Sequence, residues 1–235
     1  MKQQAQSREY YYKHRLKSYM ICQNETIFIH IPKTGGTSVT NAYNQQHGIT
    51  QFRFSSQTWQ QGFGTHYLRG WRNSPPHWMY VGNMHATYDQ YALQYPDWKY
   101  VAQVRHPYNR LRSAWSHLVD ISLIDTPFKQ WVPRAIASMQ EGRWNKCIDD
   151  KDALYELHIM KPSFDPSIIM KPQWIWVRPG VEIHKLEEGT IWKRLNLKEV
   201  KMNISNKRDH EWTDKNKELV YEYYKKDFEQ FYYGA

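Results

Sequence analysis

The sequence predicts an α/β domain: a central, mainly parallel sheet flanked by helices. Runs at 26–31 (TIFIHI), 99–104 (KYVAQV) and 181–186 (VEIHKL) have the β-branched and aromatic content of buried strands. Helix-compatible segments lie between and after them, and strands alternating with helices indicate a parallel sheet. No repeat period and no low-complexity tract divides the 235 residues. The chain is therefore read as one continuous domain, 24–235, behind a basic N-terminal arm, 1–23.

Pro32 ends the first strand, and Lys33-Thr34-Gly35-Gly36-Thr37-Ser38 follows as a turn rich in glycine and hydroxyls before VTNAYNQQ, which continues as helix. Residues 50–80 are rich in Gln, Trp and Gly, carry Ser74-Pro75-Pro76, and read as irregular. A short helix fits 86–94, ended by Pro96. After the strand at 99–104, Pro107 opens a helix that runs to about Val119. At ~100° per residue, Leu111, Ala114, Trp115 and Leu118 share its packing face. Arg110, Ser113 and His117 form an adjoining stripe that can meet a ligand. Helices are expected at 127–140 and 151–160, and a charged, Tyr-rich terminal helix at 212–232.

Lys and Arg number 32 against 23 Asp and Glu, a formal charge of +9, which calls for an anionic partner: nucleic acid, acidic glycan or phosphorylated nucleotide. Cys22 and Cys147 stand far apart without a CxxC, which excludes a disulfide scaffold and a four-cysteine zinc site and points to a reducing compartment. No stretch reaches the ~18 apolar residues of a membrane span, and the N-terminus has no apolar signal region. Cytoplasm is the expected location. Golgi lumen is the alternative should an anchor have been cut away.

In α/β sheets the ligand crevice lies beyond the carboxyl ends of the strands, where the loops at 32–38 and 105–107 fall. In the first loop, Gly35 and Gly36 let the backbone approach a ligand, and a helix start adds the positive end of its dipole. Lys33 adds a full charge; Thr34, Thr37 and Ser38 add hydroxyls. The plain alternative is a strand-to-helix connection capped by Thr37 or Ser38. Neither GxxxxGK[ST] nor GxGxxG is present. In the second loop, Arg105 ends a strand, where its planar fork can take a phosphate through two hydrogen bonds, and Ser113 can donate to the same anion. Here the alternative is that Arg105 pairs with an acidic residue and Ser113 is simply exposed. HExxH and GxSxG are absent, and the histidines fit no metal spacing, so no metal site is expected.

The segments IFIHIPKTGGTS and VRHPYNRLRSAW together resemble the paired signature of the sulfotransferases that use 3′-phosphoadenosine 5′-phosphosulfate, closest to the carbohydrate branch of the Golgi and its bacterial relatives. The resemblance is dense over 26–46 and 81–118 and thinner over 168–195 and 203–233. It implies a P-loop-kinase-like fold and transfer of a sulfuryl group to an acceptor hydroxyl, with adenosine 3′,5′-bisphosphate as product and no metal. By this resemblance Lys33 contacts the sulfuryl group and its bridging oxygen. Gly35, Gly36, Thr37 and Ser38, with Thr34 in the same loop, hold the 5′-phosphate, and Arg105 with Ser113 holds the 3′-phosphate. His85, in Gly82-Asn83-Met84-His85-Ala86-Thr87, matches the family's general base, while Asn83 departs from the histidine or lysine of some relatives. The acceptor is expected to be a glycan, with Trp59, Trp71 and Trp78 available for stacking and Arg69 and Arg72 for acidic groups. Loops at 170–173 and 203–208 are expected near the cleft. A magnesium-dependent kinase on a similar sheet and a basic nucleic-acid-binding module are the rival readings.

Overall fold

The computed structural model describes residues 22–23, 25–46, 85–92, 95–150, 166–200 and 211–234. The expected irregular segment 50–80 with its tryptophans, Gly82 to Met84, the helix expected at 151–160 and the loop at 203–208 lie outside them.

Four strands form one sheet in the order β1 (Cys22–Gln23), β2 (Thr26–Ile29), β3 (Lys99–Val104), β4 (Glu182–Lys185). Strands β2, β3 and β4 are parallel, in register from Thr26 with Lys99 to Ile29 with Ala102, and from Val101 with Glu182 to Val104 with Lys185. Only β1 runs antiparallel, turning into β2 through Glu25 at φ 56°. So the chain is an α/β domain with a parallel three-stranded core to its sheet. The last two residues assigned to the N-terminal arm form its edge, and the first strand ends at Ile29, two residues before the apolar run does.

Both faces of β2 are buried, which explains a run of apolar residues without polar alternation. Ile27, Ile29 and Ile31 pack with Ala102, Val104, Trp176 and Val177 on one side. Phe28 and Val101 pack on the other side against Val39, Ala42 and Tyr43 of α1 (Gly36–Gln46), and against Ile191. Between α1 and β3 lies the short helix α2 (Tyr88–Ala92).

After β3 come α3 (Pro107–Asp120) and α4 (Phe128–Gln140); after β4 come α5 (Thr190–Arg194) and the terminal helix α6 (Asp214–Gln230). Pro107 opens α3 at its first turn, where a missing N–H costs nothing. Leu111, Ala114, Trp115 and Leu118 join Trp131, Val132, Ala135 and Ile136 of α4 and Val220, Tyr224 and Phe228 of α6 in a further apolar cluster. Thr213 caps α6 by accepting from Asn216 N at 3.2 Å. Among the described residues no helix is long and apolar enough to cross a membrane.

Candidate functional site

Parallel pairing with level register brings the carboxyl ends of β2 and β3 side by side, so the loops that follow them share one edge. The first loop bends sharply. Lys33 takes φ 66° and Gly35 φ 85°, and a methyl group built on Gly35 would lie 2.9 Å from Gln103 Nε2 and 3.0 Å from Leu186 Cδ1. Gly35 thus answers to both conformation and space. Helix α1 begins at Gly36, inside the segment read as loop, so Thr37 and Ser38 belong to its first turn. No acidic residue sits in that turn to satisfy the helix end. Ser38 N and Val39 N donate to Gly35 O at 3.0 and 3.3 Å.

The hydroxyls divide by environment. Thr34 is fully buried, and its Oγ1 donates inward to Ile31 O at 2.9 Å while Gln103 Nε2 donates to its carbonyl. Its role in this structure is to fold the loop back on the strand. Thr37 is exposed and Ser38 buried. The Lys33 side chain is half-buried, and its ammonium has no hydrogen bond or ion pair among the described residues. Burial, together with Arg105 and Arg110 and against the pull of Asp120, lowers its pKa to about 8.

The two loops are joined directly: Arg105 Nη1 donates to Lys33 O at 3.3 Å. Arg105 is itself held by its backbone. Its N–H donates to Gln173 Oε1 at 2.9 Å, and its carbonyl accepts from Gln173 Nε2 at 2.8 Å. The Gln173 amide therefore pairs with Arg105 as a neighbouring strand would. Gln173 N and Trp174 N in turn donate to the buried Asp227 carboxylate at 2.8 and 2.9 Å. Burial pushes the Asp227 pKa up against these hydrogen bonds and nearby Arg110. Glu187 accepts from His106 N at 2.9 Å and from Tyr233 Oη at 3.1 Å. It draws on Arg105 electrostatically, although burial is the larger influence on that guanidinium. Ser113 sits half-buried on α3, and its hydroxyl makes no hydrogen bond among the described residues.

Arg110 corrects an expectation. Placed by periodicity on the ligand-facing stripe, it is instead 1% exposed. It lies inside because Nε donates to Pro32 O at 2.9 Å and Nη1 to Lys171 O at 2.8 Å, with the guanidinium 5.9 Å from the centre of the Trp176 ring. Backbone carbonyls and an aromatic face replace water around the charge. Its Nη2 and the Oε1 of Gln103 remain buried without partners among the described residues.

His85 joins the same neighbourhood from the other side. Its Nδ1 lies 2.8 Å from His30 O, and Trp176 Nε1 donates to His85 O at 2.9 Å. A carbonyl only accepts, so Nδ1 carries the proton and the lone pair of the neutral ring is on Nε2. Burial, helped by Arg110 and Lys33 and opposed by the His30 carbonyl, lowers the His85 pKa to about 4. The structure therefore gathers Lys33, Gly35, Gly36, Arg105 and His85 around the C-terminal ends of β2 and β3. It adds His30, Gln103, Arg110, Gln173 and Asp227 as supports. Two of these had a visible sign: His30 and Gln103 are polar residues inside otherwise apolar strand runs. Asp227 lies on the stripe of Val220, Tyr224 and Phe228.

Among the described residues no three or more His, Cys, Asp or Glu side chains converge as a metal set. The arrangement can hold an anion between fixed cations and present a neutral imidazole beside it. No curated protein and no solved structure matches the chain. The model described as "Sulfotransferase family" matches residues 17–157, more than half of the sequence and both anion loops. The chain thus belongs to the sulfotransferase family, and its general chemistry is sulfuryl transfer.

Proposed function

We propose that this protein transfers a sulfuryl group from 3′-phosphoadenosine 5′-phosphosulfate to a hydroxyl of a carbohydrate. The observation that carries this reading is the contact between the two loops, with Arg105 Nη1 3.3 Å from Lys33 O. It supports one doubly phosphorylated nucleoside bridging them. Lys33 meets the 5′-phosphosulfate beside the first turn of α1, where Gly35, Gly36, Thr37 and Ser38 supply backbone and hydroxyl donors. Thr34 contributes by shaping the loop. Arg105 and Ser113 meet the 3′-phosphate. The donor supplies an activated sulfuryl group, and the protein's share is positioning and charge stabilisation, by analogy with phosphoryl transfer.

His85 accepts the proton of the attacking hydroxyl at Nε2. Lys33 stabilises the negative charge left on the 5′-phosphate oxygen as its bond to sulfur breaks and the acceptor oxygen bonds to sulfur. A base with pKa about 4 is weak, but two of the influences that lower it, Lys33 and Arg110, are cations that a bound polyanion offsets. The glycan acceptor rests on the carbohydrate-branch resemblance and on the basic composition.

A thermal-shift comparison tests the reading. Adenosine 3′,5′-bisphosphate at ~100 times its Kd should stabilise the native state by ~2.7 kcal/mol, with much smaller effects from ATP and NAD at the same concentration. Equal stabilisation by ATP, or none by the bisphosphate, removes it.

A further inference from the structure

Gly36 invites the usual explanation for a glycine in a phosphate loop, namely backbone freedom or close approach of a ligand. The geometry gives another. Gly36 is the first residue of α1 and is not among the positive-φ glycines, so its conformation is open to any L-residue. Space is what excludes a side chain. A methyl group built there would lie 2.1 Å from His30 Cδ2, 2.5 Å from His30 Nε2 and 2.7 Å from His30 Cγ. The other side of this relation is His85, whose ring meets that of His30 edge to face, with centroids 4.7 Å apart and planes at 76°. His30 is buried at 6% exposed, on the side of β2 that carries Phe28, whose ring centre lies 6.3 Å away. It has little room to move.

We propose that His30 is a positioning residue for His85: its imidazole is a rigid spacer between the start of α1 and the His85 ring, and Gly36 lacks a side chain to make room for it. The spacer works together with the His30 carbonyl, which receives the His85 Nδ1–H, so one residue fixes both the hydrogen bond and the plane of the ring. Lys33 and Arg110 are the cations facing this pair. Because the His30 ring touches the anion loop on one side and His85 on the other, displacement of the loop is transmitted mechanically to the imidazole. The catalytic sense of "positioning" rests on the sulfuryl-transfer reading. The packing relation does not.

The test is nitrogen-15 histidine NMR on the full chain, with His85→Gln used to assign the His85 signals among the 11 histidines. In the wild type His85 should show the Nδ1–H tautomer. Gly36→Ala should force the His30 ring aside, so that His85 loses that signature and titrates at a different pH. His30→Ala should disturb His85 in its own right, and adding Gly36→Ala to it should change nothing more, since residues that share one contact are non-additive. An unchanged His85 spectrum in folded Gly36→Ala overturns the proposal, as does an equal effect of Gly36→Ala in both backgrounds. Should Gly36→Ala fail to fold, recovery of folding in Gly36→Ala/His30→Ala supports the spacer, and failure in both backgrounds counts against it. If the wild type fails to bind adenosine 3′,5′-bisphosphate, the donor reading falls while this packing result stands.

Discussion

If Lys33 meets the bound phosphate as proposed, anion binding should weaken as pH rises. Burial beside Arg105 and Arg110 holds its pKa at about 8, against an ordinary lysine value of roughly 10.4. A bound phosphate offsets those two cations and favours the ammonium, so the pKa is higher in the complex. Binding therefore takes up a proton in the window between the two values. Near pH 9 the free group is about one-tenth protonated, and uptake approaches one proton per ligand. Affinity for adenosine 3′,5′-bisphosphate should then fall about tenfold, or about 1.4 kcal/mol, for each pH unit above about 8. The ligand adds little slope there, since its phosphates have a second pKa of about 6 and are almost fully ionised by about pH 8.

Isothermal titration calorimetry in buffers of different ionisation enthalpy counts the protons directly. Lys33→Arg keeps the charge at every accessible pH and should remove both the uptake and the slope. A wild-type protein that binds equally well from about pH 7 to pH 10 with no proton uptake would refute the placement of the Lys33 ammonium against the ligand.

Arg105→Ala should weaken adenosine 3′,5′-bisphosphate by on the order of 1.5–3 kcal/mol, the range for a charged hydrogen bond, and unchanged affinity in calorimetry reassigns the second loop. For His85→Ala, turnover with a carbohydrate acceptor should drop by roughly 10²–10⁴ while bisphosphate affinity changes little; near-normal turnover takes His85 out of the proton-accepting role. Gln173→Ala strips partners from both backbone groups of Arg105, at roughly 1–3 kcal/mol for each orphaned group. At about 2–4 °C per kcal/mol for a chain of this length, thermal unfolding should register a Tm lower by roughly 4 °C or more, and a Tm within error of the wild type denies the strand-like clamp.

The strands were legible because β2 and β3 are buried on both faces and so carry continuous apolar runs. The helix opening at Pro107 was legible because proline suits that position and little else in a helix. That Lys33 and Arg105 share one sheet edge was legible because each follows shortly on a strand of the parallel pair, whose carboxyl ends open on the same side. Arg110 could not be placed, because periodicity assigns a stripe but not what the stripe faces, and the carbonyls that receive it, Pro32 and Lys171, come from distant parts of the chain. The inward turn of Thr34 escaped notice for a related reason, since a hydroxyl has the same appearance in sequence whether it serves its own strand or a ligand. The Gln173 clamp depends on pairings 54 and 68 positions apart, a separation that no local pattern records.

The hold of Asp227 on Gln173, and of Gln173 on Arg105, has a temporal side. During synthesis the lysine loop and the arginine loop leave the ribosome early, more than a hundred residues ahead of the helix that secures the second of them. A nascent chain lacking α6 can still pair β2 with β3, but it lacks the carboxylate that holds Gln173 against the Arg105 backbone. Full support of the arginine loop therefore arrives only with this helix, so that a prematurely terminated product holds that loop less firmly.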